Sequence, residues 1–454
     1  MASDTLRRVP PETVCEIFAL TLRYDEEDMV RKPPWQLGHI CQSWRLAALG
    51  YPPLWNSISI LPPSHGFLLP MIEIQLLRSA NGPLDVYYWS ADAEEGAVDL
   101  QCASVVVAHC RRWRSLHLNI PYTLEELSWL YPVEGRLDGL ERLKVLGCDP
   151  TAGIGHIFAV APRLRDVILT DSQFVLRSAI IAIPWGQITH YRGTHNAQTQ
   201  LDILKQAPNL LQCAVSLKLG PDYDPERNSP ALLPHLRRLC IAQPRLLDGL
   251  KAPRLEELCC LRNWRMDIHA LLPFVHNSSC SLTTLVLMSC GICPELVEVL
   301  HDLPSLTYVL IESPDERHGQ TGGQYEHTVA LFEALTISGT PVVDALCPAL
   351  ASFVFGFSPE FPHDTFFLMA RSRFTLGRRL TSLRVFGYDA AALDVSSLLS
   401  IRGFSTMARP LPSLPALESC PPSILAPIQM LREDGFDVAF IGRRDVDLLK
   451  ASWI

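Results

Sequence analysis

One short phrase recurs along this chain and limits what the chain can fold into. It reads Leu140-x-x-Leu143-x-Val145, Leu164-x-x-Val167-x-Leu169, Leu210-x-x-Cys213-x-Val215, Leu236-x-x-Leu239-x-Ile241, Leu255-x-x-Leu258-x-Cys260, Leu282-x-x-Leu285-x-Leu287, Leu306-x-x-Val309-x-Ile311, Leu350-x-x-Phe353-x-Phe355 and Leu380-x-x-Leu383-x-Val385. Trp113-x-x-Leu116-x-Leu118 and Ile188-x-x-Tyr191 are degenerate copies. Steps between first positions, counted from Trp113, are 27, 24, 24, 22, 26, 19, 27, 24, 44 and 30 residues. A period of about 20 to 29 residues marks units that cannot bury an apolar face alone and must stack on their neighbours.

Other signals keep the same phase. Pro162, Pro208, Pro234, Pro253, Pro304 and Pro348 each stand two residues before a first-position leucine. Proline lacks the N–H a ladder needs, so it ends the preceding helix and lets a strand begin. Cys148, Asn196, Asn263 and Cys290 fall eight residues after the first position, where a side chain can satisfy backbone groups in the turn after a strand. Helical pieces lie between, among them residues 154–162, 201–208, 268–276, 294–304 and 328–335. Each repeat is therefore expected to be a strand plus a helix.

Such repeats resemble an irregular leucine-rich-repeat solenoid, and the resemblance implies a parallel sheet on a concave face with helices on a convex one. The expected fold class is α/β, with this repeat domain over residues 111–454 and an opening and capping segment over 61–110. The step of 44 hides a lost repeat or an insertion; the polar, Gly-rich stretch 313–327 inside it reads as an exposed loop. Residues 410–454 are expected to form a C-terminal cap, with a helix stopped by Gly435 and a last strand.

Residues 1–60 break the pattern. After Val9-Pro10-Pro11-Glu12, the residues Val14, Ile17, Phe18 and Thr21 follow helical spacing, as do Leu37, Ile40, Cys41, Trp44 and Ala48 before a stop at Gly50. Two or three short helices are expected. A segment this small rarely buries enough apolar surface to stand alone, so a partner or an adjoining domain is expected to cover one side.

The runs Val9-Pro10-Pro11-Glu12, Ile17-Phe18, Cys41-Gln42-Ser43-Trp44-Arg45 and Pro53-Leu54-Trp55 resemble the F-box, in the form found in the large fungal (basidiomycete-type) F-box family. Val9 replaces a usual Leu and Thr13 a usual Leu or Ile, which trims apolar contact at the partner face. The resemblance implies docking onto a Skp-type adaptor, and through it a cullin and a RING subunit of a ubiquitin ligase. Pro10, Ile17, Phe18, Leu37 and Ile40 are the adaptor-binding candidates, joined by Trp44 and Trp55, each of which packs either on the adaptor or inside its own chain.

Composition removes other classes. A net charge of -9 argues against nucleic acid or an anionic membrane as principal partner. No apolar run reaches the length of a membrane span. The chain opens on no apolar signal segment, and its 14 cysteines are thinly spread, as expected of a cytoplasmic or nuclear protein with buried thiols. Cys290 and Cys293 have metal-like spacing but no second pair, and neither the carboxylates nor His39, His109 and His117 make a catalytic constellation. No cofactor or metal is expected, and no enzymatic activity.

The function expected is substrate recognition in a Skp-cullin-F-box ubiquitin ligase: the N-terminal helices hold the adaptor and the repeats hold a client protein. Arg163, Arg165, Arg237, Arg238, Arg254, Glu256 and Arg384, all x positions at or beside the repeat phrase, are the client-binding candidates, and their basic bias suits an acidic or phosphorylated client. The alternatives are a repeat scaffold acting outside any ligase and, third, a metal-dependent enzyme.

Overall fold

The computed structural model describes residues 9–21, 34–60, 68–89, 100–119, 125–146, 156–170, 181–217, 229–263, 268–290, 292–312, 324–338, 345–357, 362–377, 380–387, 429–433 and 436–440. The chain is mixed α/β and divides into two compact units, Met1–Thr199 and Gln200–Ile454. The helical segment therefore shares a unit with the first strands.

In the first unit, α1 (Pro11–Thr21) and α2 (Gln42–Leu49) precede β1 (Ser57–Ile60). Then follow α3 (Leu68–Arg78), β2 (Leu84–Trp89), α4 (Leu100–Val107), β3 (Trp113–Asn119), β4 (Arg142–Leu146), β5 (Asp166–Thr170) and β6 (His190–His195). The strands pair in chain order, all parallel, from β1 to β6.

After α5 (Ala197–Gln206), the second unit runs through β7 (Gln212–Leu217), β8 (Ala231–Leu232), β9 (Arg238–Ile241), β10 (Leu250–Lys251) and β11 (Glu257–Asn263). It continues with α6 (Leu271–Ser278), β12 (Thr284–Cys290), α7 (Glu295–His301), β13 (Tyr308–Glu312) and α8 (Gln324–Leu335). It ends with β14 (Ser352–Phe357), α9 (His363–Ser372), β15 (Ser382–Gly387) and β16 (Asp437–Phe440). Its sheet is also parallel and in order, β7-β9-β11-β12-β13-β14-β15-β16, while β8 and β10 form a separate two-stranded ladder that the repeat phrase does not announce.

Every copy of the phrase carries a strand, and in all but the Trp113 copy that strand begins two residues after the first position. The six prolines sit second in a turn whose first carbonyl accepts the leucine N–H: Leu164 to Ala161, Leu210 to Ala207, Leu236 to Leu233, Leu255 to Ala252, Leu306 to Leu303 and Leu350 to Cys347. That place suits a fixed φ and no N–H. One residue further on, a carbonyl accepts two N–H groups of the next repeat. Glu256 O receives Thr283 and Thr284, Thr283 O receives Thr307 and Tyr308, and Thr307 O receives Ala351 and Ser352. Each strand thus starts where its predecessor dictates.

The apolar positions fall into register. Leu239, Leu258, Leu285, Val309, Phe353 and Leu383 make one buried column, and Ile241, Cys260, Leu287, Ile311, Phe355 and Val385 another. Helices cover this face: Phe332 of α8 and Phe366 of α9 meet Phe355 with ring centroids 5.0 and 6.4 Å away.

Three expectations are corrected. Residues 156–160 form turns where a helix was expected. Gln324–His327, expected in a loop, open α8, and β13 pairs directly with β14, so the step of 44 holds an insertion. The periodic stretch from Leu37 to Ala48 is split, with a 3-10 helix at Pro34–His39 before α2, because Cys41 becomes the N-cap and its sulfur accepts the Trp44 N–H. The remainder of the expected loop, 313–323, and most of the expected cap lie outside the described residues, apart from 429–433 and 436–440.

Candidate partner surfaces

The N-terminal helices have a small core of their own. Phe18, Ala48, Leu54 and Trp55 are buried together, with Val14, Ala19, Trp35, Leu37, Trp44, Ala47 and Tyr51 packed around them. The Cys-x-x-Trp-Arg run supplies the joints: Cys41 caps α2, Trp44 meets Phe18 edge to face at 4.8 Å, and Arg45 Nε donates to Gly38 O at 2.7 Å. Trp55 Nε1 donates to Ala48 O at 2.8 Å, and Tyr51 donates to Glu16 Oε1 at 2.9 Å, a hydrogen bond that raises the phenol pKa.

Several large apolar side chains remain outside, among exposed polar ones such as Glu12, Thr13, Gln42 and Arg45. Ile17, Leu20, Ile40, Leu46 and Leu49 are 45%, 54%, 61%, 65% and 41% exposed. On α1 the open stripe is Thr13, Ile17 and Leu20; on α2 it is Gln42, Leu46 and Leu49, at i, i+4 and i+7 in each helix. Among the adaptor-binding candidates, Pro10, Ile17 and Ile40 are exposed, and Leu37 and Trp44 are half-buried. Phe18 is corrected: it is closed inside the segment's own core and offers no surface; of the two alternatives for Trp55, the structure has the one inside its own chain. Ile17 and Phe18 share the helical spacing read from the sequence, yet Phe18 is buried and Ile17 open, while Cys15 is buried as well. Leu20, Leu46 and Leu49 were missed, although Leu46 and Leu49 lie off the Trp44–Ala48 stripe and could have been read as open.

The expected client residues behave differently. Arg163 and Arg254 are exposed in the proline turns ahead of β5 and β11, off the strand face. Arg165 is exposed but donates to the carbonyls of Pro162 and Leu164. Arg237 pairs with Glu256 at 3.8 Å and Arg238 with Glu257 at 3.4 Å, so acidic neighbours already answer these cations. Arg384 is buried, pairs with Asp437 Oδ2 at 2.6 Å and donates to Asp437 O at 2.9 Å. A self-paired cation attracts an incoming anion less, because the anion must compete with the resident carboxylate.

The expectation that the middle x positions face solvent is also corrected for the second unit. Ala214, Cys240, Cys259, Val286, Leu310 and Val354 share the face opposite the leucine columns, and all are buried. Burial pushes the Cys260 thiol up to about 12 and holds the Cys213 and Cys259 thiols well above the usual range, so these are inert apolar groups.

Over β1 to β4 the equivalent column in the first unit is polar, with Ser59, Tyr87, His117 and Lys144, before Ile168 of β5. His117 lies edge to face with Tyr87 at 4.6 Å, and burial together with the Lys144 charge lowers its pKa to about 3. It stays neutral near pH 7 and is poorly placed to gain a proton. Beside it Asp85 accepts from Arg114 Nε at 3.1 Å, Arg114 Nη2 at 2.5 Å and Ser115 Oγ at 2.7 Å. Burial raises the Asp85 pKa, but these bonds and the Arg114 charge outweigh it and hold the carboxyl below its usual range.

Among the described residues no group of three or more His, Cys, Asp or Glu side chains could hold a metal ion, and no helix is long and apolar enough to cross a membrane. Cys293 is half-buried, and the side chain of Cys290 lies outside what is described. In comparisons with known proteins, no family model and no curated protein matches the chain.

Proposed function

We propose that this protein is the substrate-recognition subunit of a Skp-cullin-F-box ubiquitin ligase, its N-terminal helices docking on a Skp-type adaptor and its repeats presenting a client. The finer fold in this reading is an F-box-like helical module followed by a leucine-rich-repeat solenoid; within each unit, parallel strands that follow chain order, β8 and β10 apart, and the recurring phrase support it. One observation carries the functional reading. The helical segment completes a core around Phe18 and Trp55 and still leaves Ile17, Leu20, Ile40, Leu46 and Leu49 in water. Exposed leucines at helical spacing suit a helical partner.

The protein performs no bond chemistry in this reading; it raises the client's effective concentration near activated ubiquitin. A repeat scaffold outside any ligase is the second reading. It is favoured by the exposed Thr13, where the F-box pattern has Leu or Ile, and by the paired cations on the client side.

Affinity capture with mass spectrometry under proteasome inhibition separates the two. The ligase reading expects adaptor and cullin with the wild-type chain and their loss with Leu46→Asp or Ile17→Asp, surface changes that leave the Phe18 core intact. Capture of neither from a lysate rich in both overturns it.

A further inference from the structure

We propose that Arg78 is a positioning residue that locks the N-terminal helices onto the strand stack of the first unit, by a guanidinium shared between two tryptophans. Trp35, in the 3-10 helix Pro34–His39, and Trp55, which ends the 3-10 helix Pro52–Trp55, meet edge to face with centroids 4.9 Å apart. The Arg78 guanidinium carbon stands 4.4 Å from the Trp55 ring centroid and 4.9 Å from that of Trp35. Both distances are within cation–π reach.

Arg78 does not belong to the helical segment. It is the last residue of α3, whose Ile72 and Leu76 are buried and whose Gln75 Nε2 donates to Ser57 O of β1. α3 is thus anchored on the sheet, and its final side chain reaches forward into the tryptophan pair. Trp55 in turn is tied to α2 through Ala48 O and is separated from β1 by Asn56 alone. A second close approach backs the first: a Cβ on Gly82, just before β2, would meet Asn56 Oδ1 at 3.0 Å.

Size makes the lock necessary. Four buried residues are too small a core to hold α1 and α2 in one orientation unaided, and the outer faces of Trp35 and Trp55 would open to water without a lid. A planar, weakly hydrated guanidinium can cover two rings; a lysine ammonium is more strongly hydrated and covers less. The residue-60 boundary read from the sequence is consequently not an energetic boundary. If the proposed function holds, Arg78 also fixes the direction in which the exposed leucines point relative to β1–β3, but the coupling itself does not depend on that reading.

Hydrogen exchange on the full-length chain tests it with Arg78→Met, Arg78→Lys and, as control, Leu77→Ala at the neighbouring exposed position. Arg78→Met is expected to speed exchange across residues 34–49 at least tenfold while β4–β6 keep their protection. Arg78→Lys restores part of it, and Leu77→Ala changes neither. Unchanged exchange over 34–49 in Arg78→Met overturns the lock, as does an equal rise across the whole first unit, or no rescue by Lys. Adaptor capture with the same proteins keeps the two proposals apart, since a wild-type chain that binds no adaptor removes the ligase reading and leaves the exchange result standing.

Discussion

On the sheet face opposite the leucine columns, β1 to β4 of the first unit carry Ser59, Tyr87, His117 and Lys144, whereas β9 and β11 to β14 of the second carry Cys240, Cys259, Val286, Leu310 and Val354 at the equivalent place. Both units use the same parallel ladder. The difference teaches that the repeat phrase prescribes one face only, and that the x positions set the chemistry of the other. In the first unit polar groups satisfy one another, as Asp85, Arg114 and Ser115 do. In the second, up to β14 and before Arg384 of β15, apolar groups are buried on both sides, as parallel sheets permit.

The sharpest way to break this comparison is to place a carboxylate on this face in each unit. Val286→Asp puts an uncompensated charge in a buried column and is expected to cost about 4 kcal/mol. Ser59→Asp, at the same column but half-buried, is expected to cost about 1 kcal/mol or less. Urea midpoints measure both; equal losses would erase the distinction. Thiol alkylation comes next in size. Exposed Cys41 is expected to react at least about a hundredfold faster than Cys240, Cys259 and Cys260, which must wait for the second unit to open.

Asp85→Asn should then cost about 1–2 kcal/mol near pH 7, a range discounted because Arg114 is about a third open to solvent. The sign with pH follows from the depressed carboxyl: its contribution is full above the unfolded pKa of about 4 and fades as pH falls through the folded value. The wild-type advantage over Asp85→Asn should therefore shrink below about pH 4, and a gap that widens there would refute the assignment. Smallest of all is Glu256→Ala, which removes an exposed partner of Arg237 and should shift stability by no more than about 0.5 kcal/mol. If it instead strengthens capture of an acidic peptide, Arg237 belongs back among the client contacts.

Much of the fold was legible because leucine spacing and proline phase are backbone requirements. Leu164, Leu236 and Leu306 announce strands that begin two residues later, and Pro162, Pro234 and Pro304 hold the turns before them. The second sheet face was not legible. Cys240, Cys259 and Ala214 are small, and nothing in their identity says whether water or chain lies above them. Ile17 and Ile40 are exposed whereas Phe18 is buried, a difference the sequence did not show, since an apolar stripe looks the same whichever neighbour closes over it. The role of Arg78 was invisible because it depends on two rings lying 43 and 23 residues earlier in the chain.

The shared carbonyls at the strand starts have a consequence for growth of the molecule. Glu256, Thr283 and Thr307 each set the phase of the following repeat through a main-chain carbonyl that takes two backbone N–H groups, and the Thr283 and Thr307 hydroxyls add a third donor to Glu256 O and Thr283 O, so the instruction to continue is carried chiefly by the backbone. Such an array tolerates a step of 44 residues between two adjoining strands, and it can gain or shed a whole unit without renegotiating the alignment of the rest.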